Sequence, residues 1–457
     1  MPLTSPKVYP YRYIILGVFM LITLVVQLQW LTHAAVARPA AVFYQGQFNP
    51  DSFFNIDFLA LSYMLIYILV SFPASYIIDT HGIKPGLFIG AILTGIFSLL
   101  KGLGAANFTI VIIAQVGLAI AQPFILNAVT AVTVRWFPIG ERAMAAGMSA
   151  LAQYLGILIA MLVTPMLIGS DPSLPGYGEG FENMLLIYGL ISVCSAVLVL
   201  IFIREHPPSS PSGAEYKRLS FRKGFALMLK NRDMLITIFL FFIGLGIFNA
   251  VSSLTDAIAA HAGVADSDGL IGGLMLVGGV LGAIIIPLLS DKFRKRKLFL
   301  VICLAGMIPG LFGMAFAGSL SSTTESIYTI TIIGSFILGF FVMAAGPIGF
   351  QYAAEVCYPA PESASQSVLL WVGQITGMVF VAGMSIKEYA YLGEFLTVFA
   401  GLSIITFIAV LMLRESPMIG NREQGTGNRE QGTRTENGWN KHSILYKPDR
   451  GIDSRII

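Results

Sequence analysis

The chain has 457 residues, of which 56% are hydrophobic and only 12% are charged. Soluble globular domains carry roughly 25% charged residues, so this composition excludes a soluble protein of such length and predicts a surface that faces lipid. The net charge of +3 says little about partners, and we expect no nucleic-acid partner.

Twelve apolar runs follow one another along the chain. A helix that crosses a bilayer needs about 20 mostly apolar residues, and each run reaches roughly that length. Numbered as spans 1 to 12, they cover residues 13–36, 57–79, 85–104, 108–135, 142–169, 183–203, 234–260, 269–289, 298–318, 328–352, 363–385 and 393–413. The sequence therefore predicts an all-α membrane protein with twelve transmembrane helices.

The basic residues are distributed unevenly between the two ends of these spans. If the spans alternate in direction, 25 of the 28 Lys and Arg residues fall on one side, and the exceptions are Arg38, Lys101 and Lys387. Cytoplasmic loops of membrane proteins are enriched in Lys and Arg, so we expect both termini in the cytoplasm. The distribution predicts a multi-pass protein of a cell membrane, either a plasma membrane or an inner membrane.

A hydrophilic linker divides the spans into two groups of six. We predict a first six-helix bundle over residues 1–203, a cytoplasmic linker over 204–233 and a second bundle over 234–414. The linker has a basic stretch at 217–223, which we interpret as a topology anchor with a short amphipathic helix on the inner surface. The tail over 415–457 contains the motif GNREQGT twice, and we expect it to be disordered because it cannot bury a core.

The two groups of six spans contain the same short motifs in the same order. An aromatic-Pro-x-x-Glu motif follows spans 4 and 10, a Gln-x-x-Gly motif lies in spans 5 and 11, and an Asp ends spans 2 and 8. The paired residues are Glu141 and Glu362, Gln153 and Gln374, and Asp79 and Asp291. The first two pairs are each 221 residues apart and the third is 212 apart. Parallel repeats of this kind place a substrate site at their interface, near the middle of the membrane.

Trp30 lies beyond the middle of span 1 and has two interpretations. A Trp near the end of a span is typical of an anchor at the membrane interface. Alternatively, its ring faces the solute pathway and holds a cation against its π-electrons, a contact worth about 0.5–2 kcal/mol. One turn further on, His33 is a candidate for lining the outer vestibule, and we expect Lys101 close to the outer surface.

Three glutamines lie inside spans, where polar side chains tend to face the bundle interior or a wet cavity. Gln122 precedes Pro123 in span 4, and a proline inside a helix removes a backbone donor and bends the helix. Gln153 and Gln374 occupy equivalent places in spans 5 and 11. Each glutamine is a candidate for contacting the solute, or for a hydrogen bond between helices worth about 0.6 kcal/mol.

Charged residues gather where spans end on the cytoplasmic side. We interpret them as ion-pair clusters that close an inner gate and break when the gate opens, the alternative being a role in topology and headgroup contact. These candidate gate residues are Asp79, Lys84, Arg135, Glu141, Arg142, Asp291, Arg294, Glu355 and Glu362.

The middle thirds of the predicted spans contain no charged residue, whereas proton-coupled carriers place a carboxylate or His deep in a span. We therefore predict a secondary transporter that moves a small organic solute by alternating access and without ion coupling. A proton-coupled transporter of another metabolite and a transporter-like receptor or sensor are the alternatives.

Because the sequence lacks the GxxxxGK[ST], HExxH and GxSxG motifs, we predict no enzyme activity, no cofactor and no metal site. We expect a monomer with the solute and the lipid bilayer as its partners.

Several motifs resemble those of a known transporter family. The segment SYIIDTHGIK at 75–84 is similar to the loop motif of the major facilitator superfamily, and DKFRKR at 291–296 resembles its second copy. Four further motifs resemble the feline leukaemia virus subgroup C receptor-related transporters within that superfamily. They are QW at 29–30, IDFL at 56–59, AQPFIL at 121–126 and AEVCYP at 354–359. The resemblance implies the major facilitator fold, with two pseudo-symmetric six-helix halves.

The same resemblance implies a solute such as choline, ethanolamine, haem or a vitamin-like molecule. By position, the cavity residues of the family correspond to Trp30, Gln122 and Gln374 of this chain. Asn249 departs from the pattern, because the family has an aromatic residue before the Ser-rich turn of span 7. An aromatic cage for a quaternary ammonium ion would therefore lack one wall, and Asn249 is a further candidate for solute contact.

Overall fold

The computed structural model describes residues 8–49, 54–169, 176–209, 219–264, 270–384 and 390–417. Within these residues, twelve helices are long and apolar enough to cross a membrane, which confirms the predicted all-α membrane protein. Spans 1 to 6 are Tyr11–Leu31, Ile56–His81, Ile83–Leu103, Phe108–Leu126 continued by Val129–Trp136, Arg142–Leu167 and Phe181–Phe202. Spans 7 to 12 are Arg232–Ser253, Leu270–Phe293, Arg296–Leu320, Thr324–Val356, Glu362–Met384 and Leu392–Leu411. Shorter helices cover Ala34–Val36, Ala37–Phe43, Ile139–Glu141, Phe221–Lys230 and Thr255–His261.

Span 7 ends earlier than its apolar run. The predicted span continues to residue 260, but the helix ends at Ser253 and a separate short helix begins at Thr255. The Thr255 hydroxyl donates to the Val251 carbonyl oxygen at 2.9 Å, and thereby satisfies one of the last carbonyls of the helix. Asp256, which the apolar run over 234–260 includes, consequently lies beyond the span.

One face of the bundle contains the starts of the odd-numbered spans and the ends of the even-numbered spans. At this face the Tyr11 hydroxyl donates to the Phe202 carbonyl oxygen at 2.8 Å, joining the start of span 1 to the end of span 6. Arg12 and Glu141 form an ion pair of 3.0 Å there. We call it the linker face, because the segment between Phe202 and Arg232 connects the halves on this side. The opposite side is the distal face.

Each half has its own hydrophobic core. One large cluster of buried apolar side chains lies within spans 1 to 6, and another lies within spans 7 to 12. Small residues bring helix backbones together in these cores. Gly282 of span 8 is an example, because a Cβ atom on it would collide with the Phe340 carbonyl oxygen of span 10.

The linker contains the amphipathic helix Phe221–Lys230, which contacts both halves at the linker face. The Phe225 ring lies 5.8 Å from that of Phe72 in span 2, and Gly224 lies against Pro361 before span 11. Beyond span 12, the hydroxyl of Ser416 donates to Glu355 at 2.5 Å, so the folded part extends past the predicted tail boundary at 415. Most of the predicted tail lies outside the described residues.

Candidate functional site

The two halves contact each other at the linker face and up to the middle of the membrane. The Ser71 and Ser367 hydroxyls are 2.8 Å apart across the seam between the halves. The Trp371 indole donates to the Ile68 carbonyl oxygen at 3.1 Å near mid-depth. These contacts close the seam at the linker face, and we call the region between the halves from mid-depth to the distal face the space between the halves.

Gln153 and Gln374 lie at equivalent positions of spans 5 and 11, in opposite halves. Gln153 lies nine residues from Leu162, which is 59% exposed, so the two side chains leave the helix in opposite directions. Gln374 lies between Trp371, which contacts span 2, and Gly377, which contacts span 7. Both glutamines are half-buried, and within the described part of the chain neither amide has a hydrogen-bond partner.

The glycine of each Gln-x-x-Gly motif has a packing role that explains the repeat. A Cβ on Gly156 would collide with the Leu24 carbonyl oxygen of span 1, and a Cβ on Gly377 would lie 2.8 Å from Asn249 of span 7. Spans 5 and 11 therefore approach spans 1 and 7 closely, and the glutamine of each motif lies one turn before this close contact.

The other predicted cavity residues are already engaged within their own halves. The Gln122 amide donates to Gln27 Oε1 at 3.0 Å, and Asn249 donates to the Gly373 carbonyl oxygen at 3.5 Å. Trp30 is half-buried, and its indole donates to the Ala60 carbonyl oxygen of span 2 at 3.1 Å. Its indole nitrogen is thus occupied, which leaves the ring face as the part able to contact a solute.

Lys101 is buried inside the first half and does not lie at the outer surface. Only 1% of it is exposed, and its Nζ atom lies 3.3 Å from both the carbonyl oxygen and the side-chain oxygen of Gln29. Gln29 lies in the last turn of span 1, where unpaired carbonyls make a helix end negative. Gln115 donates to the neighbouring Trp30 carbonyl oxygen at 3.4 Å. The ammonium group and the amide together hold the end of span 1 that carries Trp30.

His33 is also buried and does not line the vestibule. Its ring stacks on that of Phe181 at 6.3 Å and lies 6.4 Å from that of Tyr44. Burial, and to a smaller extent the charge of Lys101, lowers the pKa of His33 well below its usual value. His33 therefore stays neutral within an aromatic cluster, away from the space between the halves.

At the linker face, the aspartates of the repeat bind helix N-termini across the seam. Asp79 accepts hydrogen bonds from the backbone N–H groups of Ser363 (3.2 Å) and Ala364 (2.8 Å), in the first turn of span 11. Asp291 accepts one from Met144, in the first turn of span 5, at 2.6 Å. A carboxylate is favourable at the N-terminus of a helix because its unpaired N–H groups are positively polarised.

The predicted gate residue Arg294 does not lie at this seam, and Arg296, two residues further along, does. Arg296 is fully buried, pairs with Asp291 and lies 3.2 Å from Glu355. It also donates to the Ile139 carbonyl oxygen of the other half at 3.3 Å. Arg294 instead occupies the exposed turn between spans 8 and 9, with a left-handed φ of 55°.

Most of the other predicted gate residues lie within the first half. Glu141 pairs with Arg12, and Arg142 donates to carbonyl oxygens of the segment just before it. The Lys84 side chain is exposed and lies over the Phe88 ring, and Arg135 pairs with Glu205. Glu362 is buried at the first position of span 11, at the seam.

Two carboxylates that the sequence analysis did not identify each bind the N-terminus of the third span of one half. Glu205 accepts from the backbone N–H groups of Ile83 (3.1 Å) and Lys84 (2.9 Å), and Glu415 accepts from those of Arg296 (2.8 Å) and Lys297 (3.1 Å). Both belong to an Arg-Glu pair directly after the sixth span of a half, 210 residues apart. That repeated pair is a sequence signal which identifies them.

Twelve spans in two halves, closed against each other at one face, define a membrane transporter of the alternating-access kind. The model of the Major Facilitator Superfamily matches residues 19–381, and the chain belongs to this superfamily. It is 28% identical to solute carrier family 49 member A3 of Xenopus tropicalis over 390 residues, which is 82% of this chain and 77% of that protein.

A second relative and a solved structure agree with this assignment. The chain is 25% identical to the choline/ethanolamine transporter FLVCR2 of Homo sapiens over 428 residues, covering 90% of this chain and 79% of the relative. Its fold matches that of the proton:xylose symporter XylE with a TM-score of 0.69 at 13% identity, covering 89% of this chain and 96% of the other. The predicted major facilitator fold and the predicted family resemblance are confirmed, and the protein is a transporter and not an enzyme.

Proposed function

We propose that this transporter carries a small organic amine through the space between its halves, down the gradient of that amine. The observation that carries the proposal is the pair of half-buried amides, Gln153 and Gln374, which lie at equivalent positions of the two halves and have no hydrogen-bond partner among the described residues. They lie in spans whose close approach to spans 1 and 7 is set by the repeated glycines. Relatives named choline/ethanolamine transporters support the same class of solute.

Within this class, the residues favour a primary amine over a quaternary one. The Trp30 ring supplies one aromatic surface for a cation, at about 0.5–2 kcal/mol, and Asn249 stands where a second aromatic wall is expected. Amide oxygens accept hydrogen bonds from the N–H groups of a primary ammonium ion, whereas a quaternary ammonium ion has none to donate. We therefore propose that an ethanolamine-like solute binds more tightly than choline.

Haem and a vitamin-like molecule are the alternative candidates for the transported solute. A haem iron is commonly held by a His, but His33 is enclosed between aromatic rings of the first half. This placement favours the amine.

We also propose that the linker face is the cytoplasmic one and that the protein acts as a monomer. Basic residues are concentrated at the linker face, as they are at cytoplasmic ends of spans. Influx of an amine would then begin at the distal face, and the negative membrane potential would favour it by about 2.3 kcal/mol per charge per 100 mV.

Proton coupling is the second candidate, because Lys101 is an ionisable group buried in the distal part of the first half. An ionisable residue inside a membrane bundle is by default a functional candidate. In a proton-coupled carrier, solute uptake depends on an imposed pH gradient even when the solute gradient is fixed.

The test is uptake by purified protein in liposomes, with ethanolamine and choline as radiolabelled solutes. Wild-type protein is expected to take up ethanolamine with the lower KM, and Trp30→Ala to raise the KM of both solutes. Asn249→Phe should improve choline relative to ethanolamine, because it adds an aromatic surface beside Gly377. A thermal-shift screen with porphyrins and vitamins covers the competing solutes, and stabilisation by one of them without any effect of amines would reject the proposal. Dependence on a pH gradient would replace the facilitative mechanism with the proton-coupled one.

A further inference from the structure

Span 4 is interrupted in its middle, and the interruption is occupied by a side chain from the other half. The helix ends at Leu126 and resumes at Val129. The Gln366 amide nitrogen of span 11 donates to the Leu126 carbonyl oxygen at 2.7 Å, and its amide oxygen accepts from the Thr130 N–H at 2.8 Å. All three residues are at least 95% buried.

Leu126 and Thr130 are the pair that would bond to each other in a continuous helix. An α-helix joins each N–H to the carbonyl four residues earlier, and Thr130 follows Leu126 by four. The Gln366 amide uses one of its two N–H donors and its carbonyl oxygen here, and so stands in for the missing backbone bond. A side chain inserted into the hydrogen-bond ladder is a known cause of a helix break.

A second glutamine of the other half supports the same point. Gln351 of span 10 donates to the Thr133 hydroxyl at 2.6 Å, and that hydroxyl donates to the Thr130 carbonyl oxygen at 2.9 Å. The bond between Gln351 and Thr133 crosses the closed seam, and the bond between Thr133 and Thr130 lies beside it within span 4. The start of the Val129–Trp136 segment is therefore held from outside its own half.

The other half of the molecule provides an internal comparison. Shifted by the 221-residue repeat offset, Gln366 corresponds to Ala145, and the Leu126–Thr130 stretch corresponds to Pro347–Gln351 of span 10. Ala145 has no amide to insert, and span 10 is one unbroken helix over Thr324–Val356 although it contains Pro347. The break thus accompanies the inserted glutamine.

We propose that Gln366 is a positioning residue of the transport cycle, which keeps span 4 interrupted while the linker face is closed. When the halves separate at the linker face, Gln366 withdraws from span 4. A buried N–H and a buried carbonyl are costly when unpaired, so Thr130 then bonds to Leu126 and span 4 becomes continuous. Closing the helix redirects the Phe108–Leu126 segment that carries Gln122, and in this way the seam and the solute site are coupled through one element with two states.

This inference rests on the alternating access of the proposed function, but its test requires no solute. Spin labels at Lys84→Cys and Lys292→Cys, both at exposed positions of opposite halves at the linker face, report the opening of that face as a distance distribution. The three native cysteines are first replaced with serine or alanine. Hydrogen exchange of residues 126–133, measured by mass spectrometry, reports the state of the break.

Two substitutions act in opposite directions. Gln366→Leu keeps a similar bulk but leaves the Leu126 carbonyl and the Thr130 N–H without their partner in the closed state. The open population in the distance distribution should therefore rise about fivefold or more. Val129→Pro retains both Gln366 bonds, because neither involves the Val129 N–H. A proline there clashes with the carbonyl four residues earlier in a continuous helix, so the open population should be smaller than in Val129→Ala.

Each substitution has a matched control. Val379→Leu changes an exposed position of the same span 11, and should leave the linker-face distances and the exchange of 126–133 as in wild type. Val129→Ala shortens the same side chain without blocking the helix. If Gln366→Leu matches wild type in both readouts, or if Val129→Pro matches Val129→Ala, the inference is wrong. If the labels respond as expected but no amine is transported, the inference stands and the proposed solute fails.

Discussion

Asp79 and Asp291 end equivalent spans of the two halves, and each accepts a backbone hydrogen bond from the first turn of a helix in the opposite half. Carboxylates at helix N-termini therefore contribute to closing the seam at the linker face. Asp291 has an additional ion-pair partner in Arg296. We expect the backbone hydrogen bonds of Asp79 and Asp291 to break together when the halves separate at this face.

Removing either aspartate should weaken the closed state of the linker face. A carboxylate that caps a helix N-terminus contributes about 0.5–2 kcal/mol, so Asp79→Ala should shift the equilibrium toward the open form by roughly two- to thirtyfold. Asp79→Asn keeps an acceptor but loses the charge, and its effect should be smaller. Both variants should reach the membrane in normal amounts and transport more slowly. The spin-label distances across the linker face measure the shift, and wild-type distances together with a wild-type rate for Asp79→Ala would rule out a gating role.

The two missed carboxylates allow a comparison between the halves. Glu205 binds two N–H groups and pairs with Arg135, whereas Glu415 binds N–H groups of span 9. Glu205→Gln keeps the acceptor and removes the charge, which should reduce stability by about 1–3 kcal/mol because a hydrogen-bonded charge is lost beside a guanidinium group. Glu415→Gln should cost less. The midpoints of thermal unfolding in one detergent provide the measurement, and equal losses would show that the Arg135 pair contributes nothing.

The sequence alone predicted the features that depend on local or repeated signals. Twenty apolar residues indicate a span regardless of its neighbours, and the repeat offset paired Asp79 with Asp291 and Gln153 with Gln374. The rotation of each helix about its axis depends on the helices around it, which is why the inward direction of Lys101 was missed. The choice between Arg294 and Arg296 likewise depends on which of them faces the seam. Pro123 predicts a bend in span 4, but the Gln366 amide at the break comes from more than 230 residues away, so no local pattern predicts that contact.

The buried Lys101 should stabilise the first half by holding the end of span 1. Lys101→Met removes the ammonium group and leaves the Gln29 side-chain oxygen unpaired, a loss of about 1–3 kcal/mol for a buried acceptor. We expect a lower midpoint of thermal unfolding and a weaker response to amines, because the same turn carries Trp30. Leu103→Met, on the exposed side of the same span, is the control and should unfold as wild type. An unchanged or higher midpoint for Lys101→Met would mean that the free-energy cost of burying the charge is at least as large as the stabilisation from its hydrogen bonds.

Gln153 and Gln374 should contribute similarly to solute binding, because they occupy equivalent half-buried positions in the two halves. Replacing either with Leu removes one neutral hydrogen bond to the solute, worth about 0.5–1.5 kcal/mol, and should raise the KM for ethanolamine roughly two- to tenfold. Neither change should destabilise the protein, since neither amide bonds to another described residue. The double variant should approach the product of the two single effects if each amide binds a different part of the solute. A normal KM in both single variants would place the solute elsewhere in the space between the halves, whereas an effect of one variant alone would indicate a site displaced toward that half.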